Sequence, residues 1–170
     1  DTYNWEGDTF PDLKHDESIG YCLHVRGFTM HRTSKVKAKG TFKGIVEKIS
    51  YLKDLGITTL ELQPAYEFAE CPITIKASSE MTAGKVNYWG YEEGFYYTPK
   101  RAYAYTTNVV KEFKDMVKAL HKNKMELIMQ FYFPKMFSCS EVLPILRYWH
   151  TEYHVDGFHI LGGRLPMTSI

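Results

Sequence analysis

Apolar positions along this chain follow two spacings in turn. From Ser18 to Thr29 they alternate, with Ile19, Tyr21, Leu23 and Val25 on every second residue, which predicts a first strand. Beyond a basic stretch, Ile45, Ile49 and Leu52 fall at helical spacing in a segment that Thr41 can cap and Gly56 can stop. That predicts a helix over 41–55. Ile57 to Leu62 is rich in β-branched residues and closed by Pro64, and it reads as a second strand. Phe113, Met116, Val117 and Leu120 share one face of a helix over 110–122, with Lys118, Lys122 and Lys124 near its negative end. Met125 to Phe133 is almost continuously apolar, as suits a parallel strand buried on both faces.

Ser138 or Ser140 can cap the next helix, which contains Val142, Ile145, Leu146 and Trp149. Pro144 lies early in it, where a missing N–H is tolerated. That helix ends near His154. A tight turn at Gly157 and a short strand closing at Gly162-Gly163 should follow. The predicted order is strand, helix, strand, long loop, helix, strand, helix, strand. It specifies an α/β fold with parallel strands and right-handed crossovers, equivalent to about four βα units of a (β/α)8 barrel. In such folds chemistry sits at the carboxyl ends of the strands. Residues 1–17 have no period and read as a lead-in arm, 18–170 as the half barrel, and 65–108 as a long loop whose Ser/Thr/Ala-rich part, 72–85, should be mobile.

Length changes this picture in one respect. The chain has 170 residues, whereas a complete barrel typically takes about 250. Charge adds little: 21 basic against 20 acidic residues leave a formal net charge of +1, which supplies no argument for a nucleic-acid or membrane-surface partner. No apolar run approaches the roughly 20 residues of a membrane span. Cys22, Cys71 and Cys139 are odd in number and lack metal-ligand spacing, which points to a reducing compartment. With no signal peptide visible, a cytoplasmic location is expected, although a chain beginning at Asp1 could be a processed piece. Aromatic residues reach 15%, which serves either a Tyr-rich core or the stacking platforms of a sugar cleft. His24, His121, His154 and His159 lie on different elements without a helical His pair, so no zinc site is read. No Gly-rich phosphate loop or nucleophile elbow is present, and no cofactor is implied.

Four stretches carry a resemblance: Asn4-Trp5-Glu6-Gly7-Asp8, Tyr21 to Thr29, Asn87-Tyr88-Trp89-Gly90-Tyr91, and Val155-Asp156-Gly157-Phe158. In this order they resemble glycoside hydrolase family 13, the α-amylase family, in its isoamylase and glycogen debranching branch. The resemblance runs from about Asn4 to Gly162. It implies an α-glucan or maltooligosaccharide ligand, with Tyr91 stacking on the sugar and Trp89 beside it.

It also shows where this chain departs from the family. The family's nucleophilic Asp on the fourth strand falls on Leu161, and the Arg two positions earlier falls on His159. On the third strand the family's Asp, Asn and His positions hold Gln130, Pro134 and Lys135. Cys22 replaces a Glu, and Lys100 replaces an Asp. Retaining glycosidases need two carboxyl groups about 5 Å apart, and the family's remaining acids lie on later strands. The expectation is therefore a debranching-enzyme-like chain without catalysis of its own, at most glucan-binding or scaffolding, with Tyr91, Trp89, His159 and Gln130 as the substrate-facing residues. A fragment of an active hydrolase and a non-carbohydrate interaction module are the alternatives. The half barrel should leave Ile19 or Tyr21, Leu60 or Leu62, and Phe158 or Ile160 on a wet inner face, so self-association or the remainder of a parent polypeptide should cover it.

Overall fold

The computed structural model describes residues 2–71, 86–134 and 137–163. The expectation of mobility for 72–85 and the family position at Lys135 both lie outside those residues. Four parallel strands form one sheet: β1 (Gly20–Leu23), β2 (Thr59–Leu62), β5 (Glu126–Phe133) and β6 (Gly157–Gly162), side by side in that order. Between them run α1 (Val25–Met30), α2 (Phe42–Val46), α3 (Ile49–Asp54), α4 (Val109–Lys122) and α5 (Cys139–Tyr153). The sheet with its crossover helices is the partial parallel barrel that the periodicity predicts. Among the described residues no helix is long and apolar enough to cross a membrane.

The register decides which residues face the helices. Tyr21 pairs with Leu60 and Leu60 with Leu127, while Leu62 pairs with Met129 and Met129 with Phe158. On this parity Leu60, Leu62, Leu127, Met129, Phe131 and Phe133 are wholly buried. Phe131 meets Trp149 of α5 edge-on at 5.6 Å. Each such side chain contributes about 1.5–3 kcal/mol relative to exposure. The expected wet apolar inner face is corrected here. Leu60 and Leu62 belong to the core, and Phe158 and Ile160 pack partly buried against it. The opposite parity carries Cys22, Glu61, Gln130 and His159, so the inner face is polar over much of its height. Ile19 and Tyr21 are exposed, as expected, but Tyr21 shares the parity of the helix-facing residues on an edge strand.

Four local expectations also change. The first strand stops at Leu23, because the His24 ring accepts the N–H of Gly27 and caps α1 where a continued strand was expected. The helix expected over 41–55 is two helices, parted at Glu47 and Lys48. Thr41 does cap the first of them, accepting from the Gly44 N–H, and Gly56 follows the second with φ +78°. Inside the expected long loop, β3 (Tyr66–Glu67) pairs antiparallel with β4 (Phe95–Pro99). The last turn is made at His154, in the left-handed region with φ 53°, rather than at Gly157. Gly157 already pairs with Ile128 in the sheet, where a Cβ would lie 2.7 Å from the Ile128 side chain.

Ser138, one of the two caps expected for α5, is the residue that starts it, and α4 is capped by Asn108. Asn108 accepts from the Lys111 N–H. Ser138 and Glu141 form a reciprocal capping box at the start of α5. The arm is held against the ends of these two helices. Trp5 stacks on His154 at 3.8 Å and Phe10 on His150 at 5.0 Å. Asp8, its side chain 1% exposed, contacts His121 of α4 at 3.0 Å and His154 at 2.6 Å. The other ring nitrogen of His121 lies 3.0 Å from Asp156, which also accepts the Leu127 N–H.

Candidate functional site

Strand parity assembles the candidate site on the inner face, near the carboxyl ends of β2, β5 and β6. Cys22 pairs with Glu61, Glu61 with Ile128, and Gln130 with His159. Side chains at these positions point to one side of the sheet. The Gln130 side-chain amide donates to Glu61 Oε1 at 2.6 Å and reaches Cys22 Sγ at 3.4 Å. Glu61 Oε1 also lies 2.7 Å from His159 Nδ1. A carboxylate only accepts, so Nδ1 carries the proton.

The segment after residue 85 closes over this layer. Asn87 anchors it: its N–H donates to the Glu70 carbonyl at 2.7 Å, and its side-chain oxygen accepts from the Gly90 N–H at 3.1 Å. Gly90 has φ +74°, and a Cβ there would meet the Phe68 ring at 2.3 Å. The Tyr66 hydroxyl bonds the carbonyls of Gly90 and Glu92. Tyr88 stacks on His24 at 4.3 Å, and the Tyr88 carbonyl lies 2.8 Å from His24 Nε2. Because Nδ1 of His24 accepts from Gly27, Nε2 carries its proton. Burial, the largest influence, holds the His24 pKa below its ordinary value, so this anchor is neutral near pH 7.

So placed, Tyr91 donates its hydroxyl to Gln130 Oε1 at 2.8 Å while the residue stays 38% exposed. Burial, then the neighbouring Cys22 and Glu61, raise the Tyr91 pKa against a side-chain hydrogen bond from Gln63. Burial and Glu61 likewise push the Cys22 thiol up, against a hydrogen bond from Gln130. It stays a thiol at neutral pH and is a poor nucleophile. The side-chain oxygen of Gln63 is buried without a hydrogen-bond partner among the described residues.

Of the four residues expected to face substrate, Tyr91, Gln130 and His159 are joined through Glu61. Trp89 stands apart, 53% exposed and edge-on to His24 and Tyr88. Leu161 shares the parity of His159 and pairs with Tyr132, so an aliphatic residue stands two positions beyond His159 on the same parity. Glu61 and Gln63 were not read as site residues. The signal available was their period-two spacing with Cys22 and Gln130, once strand register is known. Lys100 is buried and bonded to Glu67 at 3.1 Å and to the Phe68 carbonyl at 2.9 Å, a structural role away from this layer. The arrangement can hydrogen-bond hydroxyl groups and offer an aromatic face.

Comparison with known proteins agrees with this frame. The family model described as the catalytic domain of α-amylase matches residues 8–136. Isoamylase 1, chloroplastic, of Arabidopsis thaliana is 32% identical over an alignment covering 98% of this chain and 28% of that protein. The glycogen debranching enzyme of Enterobacter sp. (strain 638) is 38% identical, covering 76% of this chain and 19% of the relative. The chain thus spans less than a third of the length of these relatives. Among solved structures, the pullulanase from Paenibacillus barengoltzii in complex with maltohexaose and α-cyclodextrin superposes with a TM-score of 0.72 at 20% identity, covering 92% of this chain and 32% of that one. Pullulanase from Bacillus acidopullulyticus gives 0.74 at 24% identity, covering 94% and 26%. A strand order, an aromatic segment and a family match that agree over most of its length place the chain in the α-amylase family, on its isoamylase and debranching-enzyme side.

Proposed function

We propose that this chain is a debranching-enzyme-like α-glucan-binding protein that does not itself hydrolyse glucan. The observation that carries the reading is the inner-face layer. Tyr91, Gln130 and His159 are joined there through Glu61, an arrangement that supports contact with a polyol, and the family resemblance aligns Leu161 with the nucleophile. Without a nucleophile, what an active site retains is mostly binding. Stacking on an aromatic ring and hydrogen bonds to hydroxyls need no acid or base. The comparison structure holding maltohexaose and α-cyclodextrin supports a maltooligosaccharide as the ligand.

The test has two arms. A sensitive reducing-sugar assay on pullulan and amylopectin should detect no turnover. Calorimetry with maltohexaose should detect binding that Tyr91→Ala weakens. Turnover that disappears when a residue of this chain is changed overturns the non-catalytic reading. Parent protein that binds no maltooligosaccharide overturns the binding reading. The kinship to isoamylase 1 and glycogen debranching enzyme favours a second reading, a segment of an active hydrolase whose carboxylates come from elsewhere. Either way the free edges of β1 and β6 call for cover, by self-association or by further polypeptide. Light scattering on the purified chain distinguishes an assembly from a monomer.

A further inference from the structure

Hydrogen bonds on the inner face run in one direction. Tyr91 donates to Gln130, Gln130 donates to Glu61, and His159 donates to the same oxygen of Glu61 from the other side. These three donors therefore lead to one carboxylate, that of Glu61. The Gln130 amide has its oxygen and its nitrogen both engaged, so its orientation is fixed, and Gln130 is only 6% exposed. His159 has its Nδ1 engaged and its side chain 51% exposed. Its Nε2 has no hydrogen-bond partner among the described residues. The Glu61 side chain is 26% exposed.

We propose that Glu61 is the positioning residue of this face. By accepting at Oε1 from both Gln130 and His159, it locks His159 in the Nδ1–H form and leaves Nε2 as an outward hydrogen-bond acceptor for a ligand hydroxyl. Through Gln130 it also fixes the tilt of the Tyr91 ring. The reasoning is that of any oriented histidine: the partner of one ring nitrogen decides what the other nitrogen offers. The ligand class it selects is a neutral polyol whose hydroxyl donates to Nε2, which rests on the saccharide reading above. Glu61 is not a catalytic residue here, since it touches ligand only through its neighbours.

The test separates the two readings. Side-chain nitrogen NMR of the full chain, at alkaline pH and without ligand, should show His159 protonated at Nδ1. Glu61→Leu removes the acceptor from a partly exposed position and should abolish that preference. Glu61→Gln keeps an acceptor oxygen and should preserve it. Maltohexaose calorimetry should then show Glu61→Leu and His159→Ala each weakening binding by roughly tenfold, the loss of about one hydrogen bond. The double variant should be no weaker than either single one, because both remove the same oriented contact. An unchanged His159 tautomer in well-folded Glu61→Leu overturns the proposal, and so do additive losses in the double variant. If the tautomer responds as expected but the parent does not bind maltohexaose, the saccharide reading fails and the Glu61–His159 assignment is supported on its own.

Discussion

Asp8→Ala should loosen the arm and destabilise the whole chain, by an amount that depends on pH. The Asp8 and His121 side chains are each 1% exposed, and His121 is held between Asp8 and Asp156. Burial by itself lowers the His121 pKa. The hydrogen bond and charge of Asp156, with those of Asp8, outweigh it, and the net direction is upward. Removing Asp8 takes one acceptor from His121 and the acceptor at 2.6 Å from His154. Breaking one side of a buried ion pair costs about 3–5 kcal/mol. Asp156 remains beside His121, so the lower end, about 3 kcal/mol, is expected. For a chain of this length each kcal/mol moves the melting temperature by about 2–4 °C, so the loss is roughly 6–12 °C.

The sign with pH follows from the raised pKa. A histidine that binds its proton more tightly when folded stabilises fully below its unfolded value, about 6.5. That contribution is lost as pH rises through the folded value. The gap between parent and Asp8→Ala should therefore be widest near pH 6 and shrink as the pH is raised. Circular dichroism melts across that range measure it, and limited proteolysis of residues 2–17 at each pH reports arm release. A variant melting within about 2 °C of the parent at pH 6 refutes the reasoning, and so does a gap that stays constant with pH.

Three further outcomes can be checked. Gly90→Ala should destabilise by about 2 kcal/mol or more in denaturant melts, since it combines a left-handed backbone with a Cβ 2.3 Å from the Phe68 ring. Because Trp89 lies outside the Glu61 network, Tyr91→Ala should weaken maltohexaose binding more than Trp89→Ala does; equal losses in calorimetry would argue against the layer as the contact surface. Cys22, its thiol pushed up by burial and by Glu61, should alkylate more slowly at pH 7.5 than a free cysteine and speed up in Glu61→Gln. Mass spectrometry of iodoacetamide-treated chain reads both rates.

Much of the architecture was legible in the chain itself. Continuous apolarity over 125–133, helical spacing over 110–122 and the capping residues Thr41 and Ser138 are local signals. The structure places β5, α4, α2 and α5 on them to within a few residues. The stretch Asn87 to Tyr91 stood out by its resemblance to the family, and two of its residues meet local needs: the Asn87 side chain accepts the Gly90 N–H, and Gly90 takes a positive φ. Where local signals mislead, a distant partner intervenes. Val25 continues the alternation of the first strand, yet His24 turns the backbone there into a helix and is held by Tyr88 from far along the chain.

The site divides along the same line. The resemblance of the chain's motifs to the family singled out Tyr91, Trp89, Gln130 and His159 as the candidates and put Leu161 where a carboxylate was expected. Only the tertiary structure decided that Glu61 is the hub, that Trp89 is excluded from the layer, and that the inner face is polar while Leu60 and Leu62 lie in the core. The physical reason is register. Which face a strand residue occupies follows from its own parity, but which neighbours it meets depends on how parallel strands slide past one another, and a shift of one residue exchanges the two faces. That alignment is set by helices packing across the sheet, such as Trp149 against Phe131, through contacts between residues far apart in the chain.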